Sequence, residues 1–416
     1  MKLFLCNNYL ILLLSVFSHM MLDIGGEVSP SFIFILATSP FWIKYLNWTS
    51  DKTFRIFTKL FVSIIIIQII WALFNSETDS WTQLKGIMIT VSGLLFFMYY
   101  YFVIRYNPKA INWYVLGTFI ASFFFIDMVM LRDEELILEE GYLWKFQLFP
   151  RIVSAVVCVY LFFRKNYYIN RFAPIAFVVV GVIGLATGAR NFGLTPFIAG
   201  GIIFVLNWAK TINMPKLRRY TLIGVLLLYS GYAFFYVPAV LNEEITGGNT
   251  LQLKKAENPY NPFQLLVLGR GESIVPFQAF LDKPLEGWGY YSKDPDYKYH
   301  RLLWELHKES RQFSSSMVRN NFIPGHSVWG YYSCSYGILA FILWMVIIYK
   351  FSRIYIWSLT CKDDGILFRT YLFIAIWWDF LFSATGAFKL TMGVYMAFVI
   401  ALSIQAMQNK GMRIRI

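Results

Sequence analysis

The chain is expected to fold as an all-α polytopic membrane protein of about twelve transmembrane helices with one long extracytoplasmic loop containing short helices. Three observations lead there. Of 416 residues, 57% are hydrophobic and 19% aromatic, more apolar surface than a fold surrounded by water tolerates. Apolar runs long enough to cross about 30 Å of hydrocarbon as helices recur along the chain. Basic and acidic residues alternate between successive connections, as the orientation rule for membrane helices requires.

The apolar runs lie near residues 4–22, 30–47, 57–75, 86–104, 112–131, 147–163, 172–188, 192–209, 220–238, 331–350, 366–384 and 389–407. Pro40 interrupts the second and Lys44 lies near its end, so it is the weakest of them. The first lacks a small-residue cleavage site and is followed by more spans, which marks it as a retained helix. With a cytoplasmic N-terminus, Lys52/Arg55, Arg105/Lys109, Arg164/Lys165/Arg171, Lys216/Arg218/Arg219, Lys350/Arg353/Lys362 and Arg413/Arg415 all fall on the cytoplasmic side. Asp23/Glu27, Glu77/Asp79 and the acidic run from Asp133 to Glu140 fall on the other. Both termini are then cytoplasmic. The net charge of +13 is explained by this boundary pattern, so nucleic acid is not expected as a partner.

Three regions follow: a bundle of about nine helices over 1–238, a long polar segment over 239–330, and about three helices over 331–416. The cytoplasmic turns are too short for a nucleotide-binding module, and no GxxxxGK[ST] loop is present. Any energy must therefore come from the substrate or an ion gradient. Cys6, Cys158, Cys334 and Cys361 have no metal-ligand spacing and imply no disulfide framework.

The polar segment predicts two helices. One spans about 261–282, from Asn261-Pro262 to the Lys283-Pro284 stop, with a charged turn in its middle. The other spans about 297–317, with Leu302, Leu303, Leu306 and Phe313 at near-helical spacing and His300, Arg301, Lys308 and Arg311 on other faces. Such a helix lies most simply at the interface and caps the bundle.

Few residues here can carry chemistry. Arg190 closes a tight turn, Thr187-Gly188-Ala189-Arg190-Asn191, on the side depleted in short-loop basic residues; an ordinary interfacial arginine would snorkel there too. Arg270 sits in Gly269-Arg270-Gly271-Glu272, where glycines permit close backbone approach and an arginine can grip phosphate oxygens in pairs; a surface pair with Glu272 is the plainer reading. His326 follows Pro324-Gly325 at the entry to a helix, with a side chain suited to accept a proton near neutral pH or simply to form a structural hydrogen bond. His19, His300 and His307 read as ordinary. Asp127 and Asp379 fall inside expected spans, where a carboxylate is costly unless paired or wet; a proton path, a substrate cavity and a helix-packing role all stay open.

Together these residues resemble the O-antigen polymerase and O-antigen ligase superfamily of bacterial membrane glycosyltransferases, over about residues 180–350. The resemblance is carried by Gly188-Ala189-Arg190, then by Arg270 with Phe277-Gln278-Ala279-Phe280 and the turn Lys283-Pro284-Leu285-Glu286-Gly287-Trp288-Gly289-Tyr290. It ends on His326-Ser327 followed by Tyr336-Gly337-Ile338-Leu339. It implies glycan transfer from an undecaprenyl-diphosphate carrier at the outer face of the bacterial cytoplasmic (inner) membrane, with no metal or other cofactor. Arg190 and Arg270, with Arg319 as a third cation, would neutralise the diphosphate. His326 would act as general base or orient the acceptor hydroxyl. Trp288, Tyr290, Tyr291 and Trp304 would offer faces to sugars. The pair His326-Ser327 departs from the His-Asn form associated with the ligases, which leans toward polymerisation of O-antigen, capsular or exopolysaccharide repeat units. Ligation of finished polymer to lipid A core is the alternative, and flipping of a lipid-linked oligosaccharide by a transporter is the second. A chain-length regulator in the membrane is a further partner implied by the family.

Overall fold

The computed structural model describes residues 2–23, 27–46, 51–74, 78–124, 143–208, 219, 222–224, 226, 229–243, 253–254, 256–306, 321–325, 327–383 and 391–412. In chain order the helices are α1 (Lys2–Leu5), α2 (Asn8–Ser18), α3 (Pro30–Trp42), α4 (Lys52–Phe74), α5 (Ser80–Tyr106), α6 (Ala110–Phe124), α7 (Phe149–Phe163), α8 (Tyr167–Ala186) and α9 (Arg190–Trp208). They continue as α10 (Val237–Leu241), α11 (Pro262–Gly269), α12 (Gly271–Asp282), α13 (Lys298–Leu306), α14 (Val328–Ser358), α15 (Ile366–Phe382) and α16 (Gly393–Asn409). Among the described residues the only strands are the two-residue pair β1 (Leu22–Asp23) and β2 (Glu27–Val28), antiparallel with Leu22 opposite Val28. Side chains cap several helix starts as the sequence invites: Asn7 accepts from the Tyr9 N–H, Ser29 from Phe32, Asp79 from Thr82, and Asn166 from Tyr168 and Ile169.

The chain is an all-α membrane protein. Among the described residues six helical stretches are long and apolar enough to cross a membrane: Lys52–Phe74, Ser80–Tyr106, Trp144–Phe163, Tyr167–Ala186, Leu222–Leu241 and Val328–Cys361. Shorter apolar helices cover Asn8–Ser18, Ala110–Phe124 and Phe192–Asn207. Large apolar side chains point outward along α4 (Ile66, Ile69, Ile70, Leu73), α8 (Val179, Val182, Ile183) and α14 (Ile342, Met345). In lipid such a surface needs no cover, because the hydrocarbon is as apolar as the side chains.

The centre of the bundle is α16, buried along most of its length and packed on α5, α14 and α15. Beside it, α5 buries the run Tyr99-Tyr100-Tyr101-Phe102. The Tyr99 hydroxyl donates to the Leu5 carbonyl at 3.0 Å and the Tyr101 hydroxyl to Asp51 at 2.6 Å. Two ends are distinguishable. At one, Lys410 Nζ donates to the Thr360 carbonyl, Gln405 to the Ile104 carbonyl and the Tyr160 hydroxyl to the Asp364 carbonyl, tying together the C-terminal ends of α5, α7, α14 and α16. At the other, Trp71 at the end of α4 meets Tyr336 of α14 and donates to the Glu286 carbonyl.

The antiparallel pair α8–α9 makes the most extensive helix contact of the fold, and glycines bring the two backbones together. A methyl group on Gly193 would lie 2.8 Å from the Leu185 nitrogen and 2.9 Å from the Gly181 carbonyl oxygen; one on Gly181 would lie 2.6 Å from the backbone of Phe197. Small residues at such a seam allow the dispersion contacts that hold helices together where no hydrophobic effect operates. Gly193→Leu is accordingly expected to prise the pair apart and to cost about 3 kcal/mol, read as an earlier thermal midpoint in detergent; an unchanged midpoint would contradict the packing described.

Candidate functional site

The long polar segment between α10 and α14 folds back onto the membrane helices. Asn261 caps α11, accepting from the Phe263 N–H, and Pro262 occupies the first turn, where its missing donor is not needed. The helix breaks at Arg270 (φ −139°, ψ 33°) and resumes as α12, so the expected helix over 261–282 is two helices hinged at its charged turn. The break sets the Arg270 guanidinium 5.1 Å from the Trp378 ring centre and 5.7 Å from that of Phe382, both on α15. Cation–π attraction to two rings fixes the charge at the end of α15.

From Arg270 the chain runs along α14. Phe277 and Phe280 meet Trp329 and Phe341 of that helix, and α12 ends where Lys283-Pro284 stops it. The turn that follows is bonded into a break in α14 itself. Gly337 has φ 71° and ψ −163°, which interrupts the helix in mid-course and exposes backbone groups that hydrocarbon would leave unsatisfied. The turn satisfies them: the Trp288 N–H donates to the Cys334 carbonyl at 2.7 Å and the Gly289 N–H to Ser335 at 3.0 Å, while the Ile338 N–H donates to Pro284 at 2.7 Å. Backbones this close leave no room for Cβ atoms. One on Gly287 (φ 69°) would lie 2.6 Å from the Ser335 carbonyl, and one on Gly289 (φ 103°) would lie 2.8 Å from Thr78 Oγ1. Two motifs separated by some fifty residues in sequence are thus one structural unit.

The chain then builds a small wall. Tyr291 takes a left-handed backbone (φ 50°), its N–H donating to the Tyr331 hydroxyl at 2.8 Å. The next residues pair with the segment that leads to α14: the Ile323 N–H donates to the Ser292 carbonyl at 3.0 Å and the Asp294 N–H to Asn321 at 2.7 Å. Between this wall and α12 lies a small pocket bordered by Pro276, Gly289, Tyr291, Ser292, Gly325 and Tyr331.

Beyond the wall, Asp294 organises α13. Its buried carboxylate accepts from the Tyr299 N–H at 3.0 Å and the His300 N–H at 2.8 Å, and lies 2.6 Å from His300 Nδ1. His300, expected in solvent, is buried: it belongs to the start of α13 rather than to its wet face. The signal was present as an aspartate shortly before an amphipathic helix, a start pattern rather than a site pattern. Asp282 at the end of α12 clasps the same helix, accepting from Lys298 Nζ at 2.7 Å and the Tyr299 hydroxyl at 2.6 Å. Burial alone would raise the Asp282 carboxyl, but those two bonds outweigh it and hold the group below its ordinary value.

Of the residues singled out from sequence, Arg190 opens α9, but its side chain, together with Arg319, His326, His307 and Asp127, lies outside the described residues. Trp288 is committed to packing: its Nε1–H donates to the Ala279 carbonyl at 2.7 Å, Lys283 Nζ sits 4.1 Å from its ring centre, and Tyr299 meets it edge-on. Tyr290 is only 4% exposed and wedged beneath Tyr291 and Tyr331, so its ring is no open platform. Trp304 is exposed on α13. Asp379 accepts from Ser383 Oγ at 2.9 Å, with Thr391 Oγ1 at 3.5 Å, the pairing that a carboxylate near a helix end requires.

No protein-family model and no curated protein matches the chain.

Proposed function

We propose that the protein polymerises undecaprenyl-diphosphate-linked oligosaccharide repeat units at the outer face of the bacterial cytoplasmic membrane, in a twelve-span arrangement with both termini cytoplasmic. The observation that carries this reading is the union of the Pro284–Gly289 turn with the break at Gly337. These are two of the pieces on which the family resemblance rests, and a shared role gives a reason for both. Arg270 is held by α15 at the start of α12, where a cation can meet a diphosphate at the membrane boundary.

In the proposed reaction an acceptor hydroxyl attacks the anomeric carbon of the donor sugar. The bond from that carbon to the diphosphate oxygen breaks, the electron pair leaves on the diphosphate, and His326 takes the hydroxyl proton. Arg270, with Arg190 and Arg319, stabilises the charge that accumulates on the leaving group. A chain-length regulator would act on this step from within the membrane.

The test is made in a strain lacking the protein, whose surface glycans are separated by gel after rescue. Wild type is expected to restore a ladder. Arg270→Ala should lower polymer yield about a hundredfold at equal membrane abundance, with single repeat units on lipid A core. Unmodified core with polymer held on the carrier lipid would instead establish ligation. Repeat units trapped at the cytoplasmic face would establish transport. Full rescue by Arg270→Ala would remove the arginine from the site.

A further inference from the structure

We infer that the corner where α12 passes into the 284–289 turn is sunk into the lipid bilayer, with Leu281 and Leu285 among the acyl chains of the leaflet at that end of the bundle. The polar segment is then anchored in the membrane at its middle as well as at its two ends. This anchoring does not depend on the reaction proposed above.

Leu285 is 79% exposed and Leu281 51% exposed, four residues apart at the end of α12. Exposed leucines alone mean little on a protein surface; their surroundings decide what covers them. The corner lies across the break in α14. The Ile338 N–H donates to the Pro284 carbonyl at 2.7 Å, and the Phe280 ring stacks on Phe341 with centres 5.6 Å apart. Immediately beyond, Leu339, Ile342 and Met345 turn outward from α14. The two leucines therefore continue the surface that α14 presents to lipid, where acyl chains are as apolar as the side chains they meet.

Helix lengths set the depth. No charged residue of α14 precedes Lys350. If Lys350 marks the far edge of the hydrocarbon, counting back 30 Å at 1.5 Å per residue puts Gly337 about 10 Å inside the near edge. If Lys350 snorkels and the count starts at Ser358, where the helix ends, the near edge falls at about residue 338, level with the break. Glu286 chooses between these limits. It is exposed beside Leu285, and a carboxylate belongs at headgroup level, so the corner enters only to the depth of its leucines.

Two further contacts agree with that level. Trp71 of α4 donates its Nε1–H to the Glu286 carbonyl, and beyond Trp71 the helix continues through Leu73 and Phe74, both exposed. Apolar surface thus extends past the height at which α4 meets the turn, and an indole at the membrane boundary is in its preferred place. The neighbouring Asp282 is turned to α13 instead, accepting from Lys298 Nζ at 2.7 Å and the Tyr299 hydroxyl at 2.6 Å.

Nitroxide labels test the depth directly. Leu281→Cys, Leu285→Cys, Leu339→Cys and Glu305→Cys are each spin-labelled in the full-length protein, in liposomes of phosphatidylethanolamine and phosphatidylglycerol. The four native cysteines are buried, and wild type carried through the same labelling supplies the background. Collision rates are measured with oxygen, which concentrates in hydrocarbon, and with a water-soluble nickel chelate. At 281 and 285 the ratio of oxygen to chelate collisions is expected at the level of Leu339, the lipid-facing reference on α14, and several-fold above that of Glu305, exposed on α13. A ratio at either leucine matching that of Glu305 places the corner in water and overturns the anchoring. Loss of both collision rates with an immobilised label would mean that protein, such as a second copy of the chain, covers the corner, and overturns it equally. If the Leu339 label itself meets the chelate, the level assigned to α14 fails and the anchoring falls with it.

Discussion

Gly337→Ala is expected to unfold at a markedly lower temperature in detergent than the parent protein, and to lose activity with it. Two effects add. Alanine at φ 71° costs about 1–2 kcal/mol, since an L side chain crowds its own backbone there. The new methyl would also collide with the Leu285 carbonyl oxygen and lie 2.7 Å from the Leu285 carbonyl carbon and 3.0 Å from the Pro284 oxygen. These are backbone atoms that cannot swing aside. Relief would require the 284–289 turn to withdraw, giving up three inter-segment hydrogen bonds worth about 1 kcal/mol each, more where water cannot replace them. A total near 4 kcal/mol follows from these two contributions. Gly411→Ala supplies the control: its φ is 66°, yet nothing lies within 4 Å of the position a Cβ would take, so it should show the backbone penalty alone. Equal midpoints for the two variants would mean that the turn does not grip the helix.

The same unit shows what sequence could and could not disclose. The helices were legible because their composition is uniform: α4, α5, α8 and α14 each fall on an expected apolar run, and the Asn261-Pro262 and Lys283-Pro284 signals bound α11 and α12 closely. The break in α14 was not legible as a break. Gly337 lies among apolar residues that read as continuous helix, and only the approach of a segment some fifty residues earlier makes its left-handed backbone necessary. His300 was misread for a related reason: hydrophobic spacing assigns faces of a helix but does not show that Asp294 folds back beneath its first turn. Candidate site residues were recognisable by type and order. Their division of labour was not, because exposure separates Tyr291 from Tyr290, and adjacent tyrosines look alike in sequence.

At the opposite end of the bundle, Asp363→Ala is expected to lower stability by about 3 kcal/mol. Arg369, near the start of α15, is fully buried, and its guanidinium forms a two-point pair with Asp363, NH1 donating to Oδ2 at 2.7 Å and NH2 to Oδ1. Removing the carboxylate leaves a cation in an apolar interior, the costly way to break a buried pair, at about 3–5 kcal/mol. Asp363 is itself 38% exposed, so water partly replaces it and the lower figure applies. Burial works to raise the Asp363 carboxyl, but the bonds and charge of Arg369 outweigh it and hold the group below its ordinary value. A carboxyl depressed in the folded state contributes stability above its unfolded pKa and loses it as pH falls through the folded one. The pair is therefore intact at neutral pH, and the difference in midpoint between wild type and Asp363→Ala should persist there and shrink only in strongly acid solution. The double variant Asp363→Ala/Arg369→Met separates charge from packing, because it removes the stranded cation while keeping an unbranched apolar side chain in its place. It should recover most of the lost stability; if it is as unstable as the single variant, the loss comes from the shape of the 361–365 turn and not from an unpaired arginine.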